Sequence, residues 1–190
     1  MAINRRQFLK NLTLAGGSLM LIPACQKNIS FWRVLTEEEA KLLTAIAEQI
    51  VPTDEDPGAT DAGVVNFIDK QLAGFYSDLV DNYRNGLAAF QQYCKERIGN
   101  IFEELDWDTQ TSVLKDFEAN RIDSDYWKEN SGSQFFNMLR NHTMQGFYGS
   151  PRHGGNKNYV SYKMMRIDYP HVIGRNIYTP RSETLNIYKL

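Results

Sequence analysis

Apolar residues recur at steps of three and four along most of this chain, and the steps predict helices. The first helix opens at Thr36-Glu37-Glu38-Glu39, a capping box with Thr36 as N-cap and Leu35 in the staple position before it. Leu43, Ile46, Ala47 and Ile50 then form one face, and Pro52 stops the helix. A second helix is expected from about Ala62 to Leu79, with Asp61 as N-cap. Its face comprises Val64, Phe67, Ile68, Gln71, Leu72, Phe75 and Leu79. A third carries Tyr83, Leu87, Phe90, Cys94 and Ile98 and stops at Gly99. Asp108 caps a fourth with Val113, Leu114 and Phe117. Ser131-Gly132-Ser133-Gln134 is a second capping box, opening a fifth helix with Phe135, Phe136, Met138, Leu139 and His142 that ends at Gly146. The pattern predicts an all-α, single-domain bundle of about five helices over residues 35–190. From Tyr159 onward the pattern breaks into an irregular, aromatic-rich tail interrupted by Pro170, Gly174 and Pro180.

Two stretches fall outside the helical pattern. Pro52 to Gly63 is a long acidic loop with Asp54, Glu55, Asp56 and Asp61. It lacks the sixth-position glycine and twelfth-position glutamate of a calcium loop, so a solvated turn leading into the next helix is the expectation. His142 to Lys163 contains a turn-rich segment in which bulky residues alternate with Gly146, Gly149, Gly154 and Gly155, expected to serve tight turns. The spacing fits neither a P-loop, since Asn156 follows Gly155, nor a dinucleotide fingerprint, which needs a preceding strand.

The N-terminus changes the picture. Asn4-Arg5-Arg6-Gln7-Phe8-Leu9-Lys10 is a positive region with paired arginines, and Leu12 to Ala24 is apolar but too short to span a bilayer. Arg5, Arg6, Phe8, Leu9 and Lys10 resemble a twin-arginine export signal; the alternative is an ordinary secretory signal with two adjacent arginines. Leu21-Ile22-Pro23-Ala24-Cys25 resembles a lipobox. Lipid attached at Cys25 would anchor a mature chain to the bacterial cell envelope, on the periplasmic side; plain cleavage nearby is the alternative. The organisation is then a signal peptide over residues 1–24, a tether over 25–34 and the helical domain beyond.

Hydrophobic residues make up 42% and charged residues 23% of the chain, ordinary values for a globular protein. The net charge of -2 argues against a nucleic-acid partner. Removing residues 1–24 takes away Arg5, Arg6 and Lys10 but no acid, and shifts the charge to -5. Cys94 is then the remaining unmodified cysteine and is expected to be a buried, inert thiol.

Candidate chemistry is sparse. His142, His153 and His171 form no H-E-x-x-H or H-x-H pair. His142 lies on an apolar face, as core or interface histidines do. His153 sits in the glycine loop and is expected to be structural or interfacial, with ligand contact as the alternative. No catalytic, cofactor-binding or metal-ligating residue is assigned.

Two blocks together carry a resemblance. One is Ile46 to Asp54 with Pro57-Gly58-Ala59, Ala62-Gly63-Val64 and Phe67-Ile68-Asp69. The other is His142-Thr143 and Gly146-Phe147-Tyr148-Gly149-Ser150-Pro151-Arg152-His153-Gly154-Gly155-Asn156. Both are similar to the gluconate 2-dehydrogenase subunit 3 family, from roughly Leu35 to Tyr169. The resemblance implies a small, non-catalytic escort subunit. Its implied partner is a glucose–methanol–choline type flavoprotein that holds FAD and oxidises a sugar or sugar acid, often with a cytochrome c subunit. The twin-arginine route carries proteins already folded, which suits a cofactor-free chain travelling with a loaded partner. His142, Phe147, Tyr148, Arg152, His153 and Asn156 are the expected partner interface, with Phe147, Tyr148 and Arg152 as anchors; the alternative is a loop that only folds against its own bundle. Other functions left open are a stand-alone binding lipoprotein of the cell envelope and a histidine-based metal enzyme.

Overall fold

The computed structural model describes residues 31–122, 127 and 131–166. The segment expected to be an export signal, Cys25 and residues 167–190 of the tail lie outside the described residues. Six α-helices are present: α1 (Glu37–Ile50), α2 (Val64–Leu72), α3 (Val80–Tyr93), α4 (Trp107–Glu118), α5 (Gly132–Tyr148) and the short α6 (Val160–Met164). Among the described residues there is no strand, and no helix is long and apolar enough to cross a membrane. The five longer helices match the all-α bundle expected from the periodicity.

Helix α5 is the hub and packs against α1, α2, α3, α4 and α6. Both capping boxes form. Thr36 Oγ1 accepts from Glu39 N at 3.1 Å while Glu39 Oε2 accepts from Thr36 N at 2.8 Å. Ser131 and Gln134 reciprocate at the start of α5. Where α3, α4 and α5 meet, the core is aromatic: Phe90 stacks on Phe117 at 4.5 Å and meets Phe102 edge-on at 5.1 Å. Trp127 bridges Phe117 and Phe135. Cys94 is buried there, and burial, aided by Glu103, pushes its thiol up to about 12, as an inert core cysteine should behave.

Four local expectations are corrected. Helix α2 ends at Leu72 rather than Leu79: at Gly74 the chain turns, and Tyr76 N–H reaches back to Gln71 O at 2.7 Å. Phe75 therefore leaves the buried face and is 81% exposed. Asp61 does not cap α2. The chain enters through Gly63, whose φ of 69° lies in the left-handed region, after Ala62 N–H and Val64 N–H bond to Gly58 O and Ala59 O. Helix α4 is capped by Asp106, which accepts from Thr109 N–H at 2.9 Å, so Asp108 falls in the first turn. Helix α5 continues past Gly146 to Tyr148, because Gly146 is a packing position: Phe67 of α2 lies where a side chain would stand.

Candidate functional site: a loop surface set by buried polar groups

The segment after α5 is shaped from below. Gly149 N–H bonds to Gln145 O at 2.8 Å and ends the helix. The chain then runs through a 3₁₀ turn at Pro151–His153, and Gly154 takes a φ of 105°, a conformation that favours glycine. At Gly155 the loop passes so close to α5 that an added Cβ would fall 2.1 Å from Gly146 O. Only Gly154 among the four glycines of this segment has a positive φ; Gly146 and Gly155 serve close approach instead.

Helix α2 holds the loop by its carbonyls. Asn66 Nδ2 donates to Gly154 O at 2.6 Å, Lys70 Nζ to Arg152 O at 2.8 Å and Gln71 Nε2 to His153 O at 3.4 Å. Asn156, fully buried, donates from Nδ2 to Gly149 O at 2.9 Å and accepts Ser161 N–H at Oδ1 at 3.0 Å. Lys157 N–H bonds to Ala62 O at 2.9 Å. Asn156, Asn158 and Tyr159 all have left-handed φ values, a costly arrangement that persists only where surrounding bonds over-determine it. The two sequence blocks, joined by bonds between residues more than eighty positions apart, are thus one structural unit.

Beneath this unit lie two further polar groups. The His142 ring stacks on Tyr76 with centroids 4.4 Å apart, and Tyr83 Oη lies 2.7 Å from Nδ1. Burial holds the His142 pKa below the usual histidine value, and the neutral ring shares a hydrogen bond with the Tyr83 hydroxyl, whose own ionisation burial suppresses. Asp69 has no exposed surface and accepts from the backbone N–H groups of Arg33, Val34 and Leu35, and from the Arg33 guanidinium at 3.0 Å. Burial opposes its charge, but these donors hold its carboxyl below the ordinary carboxylate range. Residues 33–35 are therefore clamped to α2. On α1, Glu48 plays a similar part for the acidic loop. Burial opposes its charge, and four donors, the amide and hydroxyl of Thr53 and of Thr60, lower its pKa; Thr53 N lies at 2.7 Å and Thr60 Oγ1 at 2.6 Å.

The six expected interface residues divide. Tyr148, Arg152 and His153 are exposed, and Arg152 Nε donates to His153 Nε2 at 2.9 Å. Phe147 is 0% exposed, and His142 and Asn156 are buried. As direct partner contacts these three are corrected: their side chains are consumed by the core and by loop hydrogen bonds, so they shape the surface without forming it. The exposed side of α5 instead offers Met144 and Tyr148, with Phe75 near them because Tyr76 Oη bonds to Gln145 Oε1 at 2.7 Å. Sequence reasoning assigned no holding role to Asp69, Asn66, Lys70 or Gln71, although Asp69 stands in the first block and Gln71 on the expected helix face. Asp69 left a signal: it stands one helical turn after Val65 on the buried side of α2. Among the described residues no group of three His, Cys, Asp or Glu side chains gathers as a metal site would require.

Fold and site define an all-helical protein in which a bundle fixes an exposed loop surface through buried polar side chains. The chain belongs to the gluconate 2-dehydrogenase subunit 3 family, which it matches over residues 37–168. That family is named for one subunit of a multi-subunit dehydrogenase. Comparisons with curated proteins and with solved structures gave no significant match.

Proposed function

We propose that this chain is the non-catalytic small subunit of an FAD-dependent sugar or sugar-acid dehydrogenase. It binds and stabilises a flavoprotein of the glucose–methanol–choline type, travels with it through the twin-arginine route, and tethers it to a membrane through lipid on Cys25. A cytochrome c subunit completes the electron path. The observation that carries this reading is the family match across the whole described bundle, joined to a loop surface whose shape the fold fixes in advance. Preorganisation of this kind lowers the cost of binding. The interior titratable groups suit a scaffold: Asp69 serves backbone amides, Glu48 serves two threonines and His142 serves Tyr83.

Gentle purification of the tagged chain from its native membranes tests the reading. Flavin absorbance in the eluate, carried by a second polypeptide, is the expected result; a lone, colourless chain overturns it. Replacing Arg5-Arg6 by Lys-Lys is expected to abolish export, and Cys25→Ala to abolish incorporation of a lipid precursor.

A further inference from the structure

We infer that the face carrying Arg33, Lys70, Lys157, Lys163 and Arg166 rests on an anionic lipid surface. The five lie around the loop. Arg33 bonds to Asn66 and Asp69 of α2, Lys70 holds Arg152 O, and the Lys157 side chain lies against Gly63. Lys157, Lys163 and Arg166 line an open cleft of about 780 Å³ together with Met164, Asp56 and Asp61. All five cations are exposed and outnumber the two exposed acids that share the cleft, Asp56 and Asp61; Asp69 is buried and paired with Arg33. Such a concentration of positive charge stands out on a chain of net charge -2.

Two further observations select lipid over an acidic protein. Large apolar side chains stand exposed beside the cations: Phe31 at 77%, Met164 and Met165. Cations flanked by exposed apolar groups are the make-up of an interfacial membrane contact, where the charges meet head groups and the apolar groups enter the acyl boundary. The tether also leaves here. Asp69 clamps Arg33 to Leu35 onto α2, and Cys25 precedes Arg33 by eight residues, a reach of at most about 30 Å. This second point rests on the proposed lipid anchor; the charge and apolar pattern do not. In that orientation the exposed side of α5, with Met144 and Tyr148, remains available to a protein partner.

The test uses the full chain on vesicles of phosphatidylglycerol and phosphatidylcholine doped with a head-group quencher. A dye is placed by Met165→Cys on this face, or by Lys115→Cys on α4; Cys94 is buried and does not compete for the label. Quenching several-fold stronger at 165 than at 115 is expected. It should fade on pure phosphatidylcholine, and when salt rises from about 0.1 M to about 1 M, which shortens screening from ~10 Å to ~3 Å. Lys157→Gln/Lys163→Gln/Arg166→Gln should weaken apposition about 100-fold, at roughly fivefold per charge. A chain that floats with the vesicles but is quenched equally at both positions refutes this face and leaves the anchor standing. A chain that does not float refutes both. Loss of the flavoprotein subunit, with quenching unchanged by the triple substitution, assigns the face to a protein instead.

Discussion

The two ends of this bundle are held by different physics. Where α3, α4 and α5 meet, the interior is aromatic: Phe90, Phe102, Phe117, Trp127 and Phe135 interlock. Gln110 is the buried polar residue there, and it donates to Phe102 O at 2.8 Å. Where α2, α5 and the loop meet, the interior holds Asp69, His142, Thr143, Asn156 and Ser161. Apolar packing is non-directional and fixes a backbone path less strictly. Buried polar groups are directional and expensive when unpaired, so they specify one backbone path. The first end makes the bundle stable; the second makes one surface reproducible.

Substitutions that break this contrast differ in size and in kind. Phe117→Ala and Asp69→Ala should cost most, each about 3–5 kcal/mol, the first by leaving a cavity and the second by stranding Arg33 and three buried-side amides. They should separate locally: at a temperature where both remain folded, the Phe117 variant keeps the loop surface and the Asp69 variant frees residues 33–35. Urea titration gives the first quantity, and hydrogen exchange at residues 33–35 the second. Asn156→Ala removes two side-chain hydrogen bonds from a buried site and should cost about 2–3 kcal/mol, with protease cleavage appearing between 149 and 160.

Acidity sharpens the comparison further. The lowered pKa of His142 means that the unfolded chain binds its proton more readily. Stability from this group is complete above the unfolded value near ~6.5 and declines as pH falls from there toward the lower folded value. Asp69 behaves in the same direction at lower pH: its contribution is present above the ordinary carboxylate range and is lost as pH falls through its depressed folded value. Tyr83→Phe, which deletes the hydroxyl facing His142, should cost about 1–2 kcal/mol at neutral pH. Thermal melts from pH 8 to pH 4 check both the slope and the offset. The smallest expected effect on stability, within about 0.5 kcal/mol, belongs to Tyr148→Ala/Arg152→Ala, since both side chains are exposed.

The aromatic end was legible in the sequence and the polar end only partly. Leu43, Ile46, Phe90, Val113, Phe117 and Leu139 announce themselves by spacing, because burial of an apolar face must repeat with the helix. Capping boxes at Thr36 and Ser131 are local and were equally readable. Phe75 was misplaced because it continues the period of α2 past a turn that Gly74 allows and a backbone bond completes. Phe147 and Asn156 were placed at the surface because an aromatic or an amide in a glycine-rich loop reads the same whether it faces outward or inward. Their burial depends on α2 lying alongside, which is a long-range fact. So does the role of Asn66, Lys70 and Gln71, which find carbonyls more than eighty residues away.

Co-expression of this chain with the proposed flavoprotein subunit tests the central claim most directly, comparing the unaltered chain with Tyr148→Ala/Arg152→Ala and with Lys95→Ala/Lys115→Ala, both exposed, as control. If the loop surface binds the partner, the first pair keeps its melting temperature and loses co-purified flavin, while the control retains both. Equal flavin recovery from all three folded chains would contradict the account.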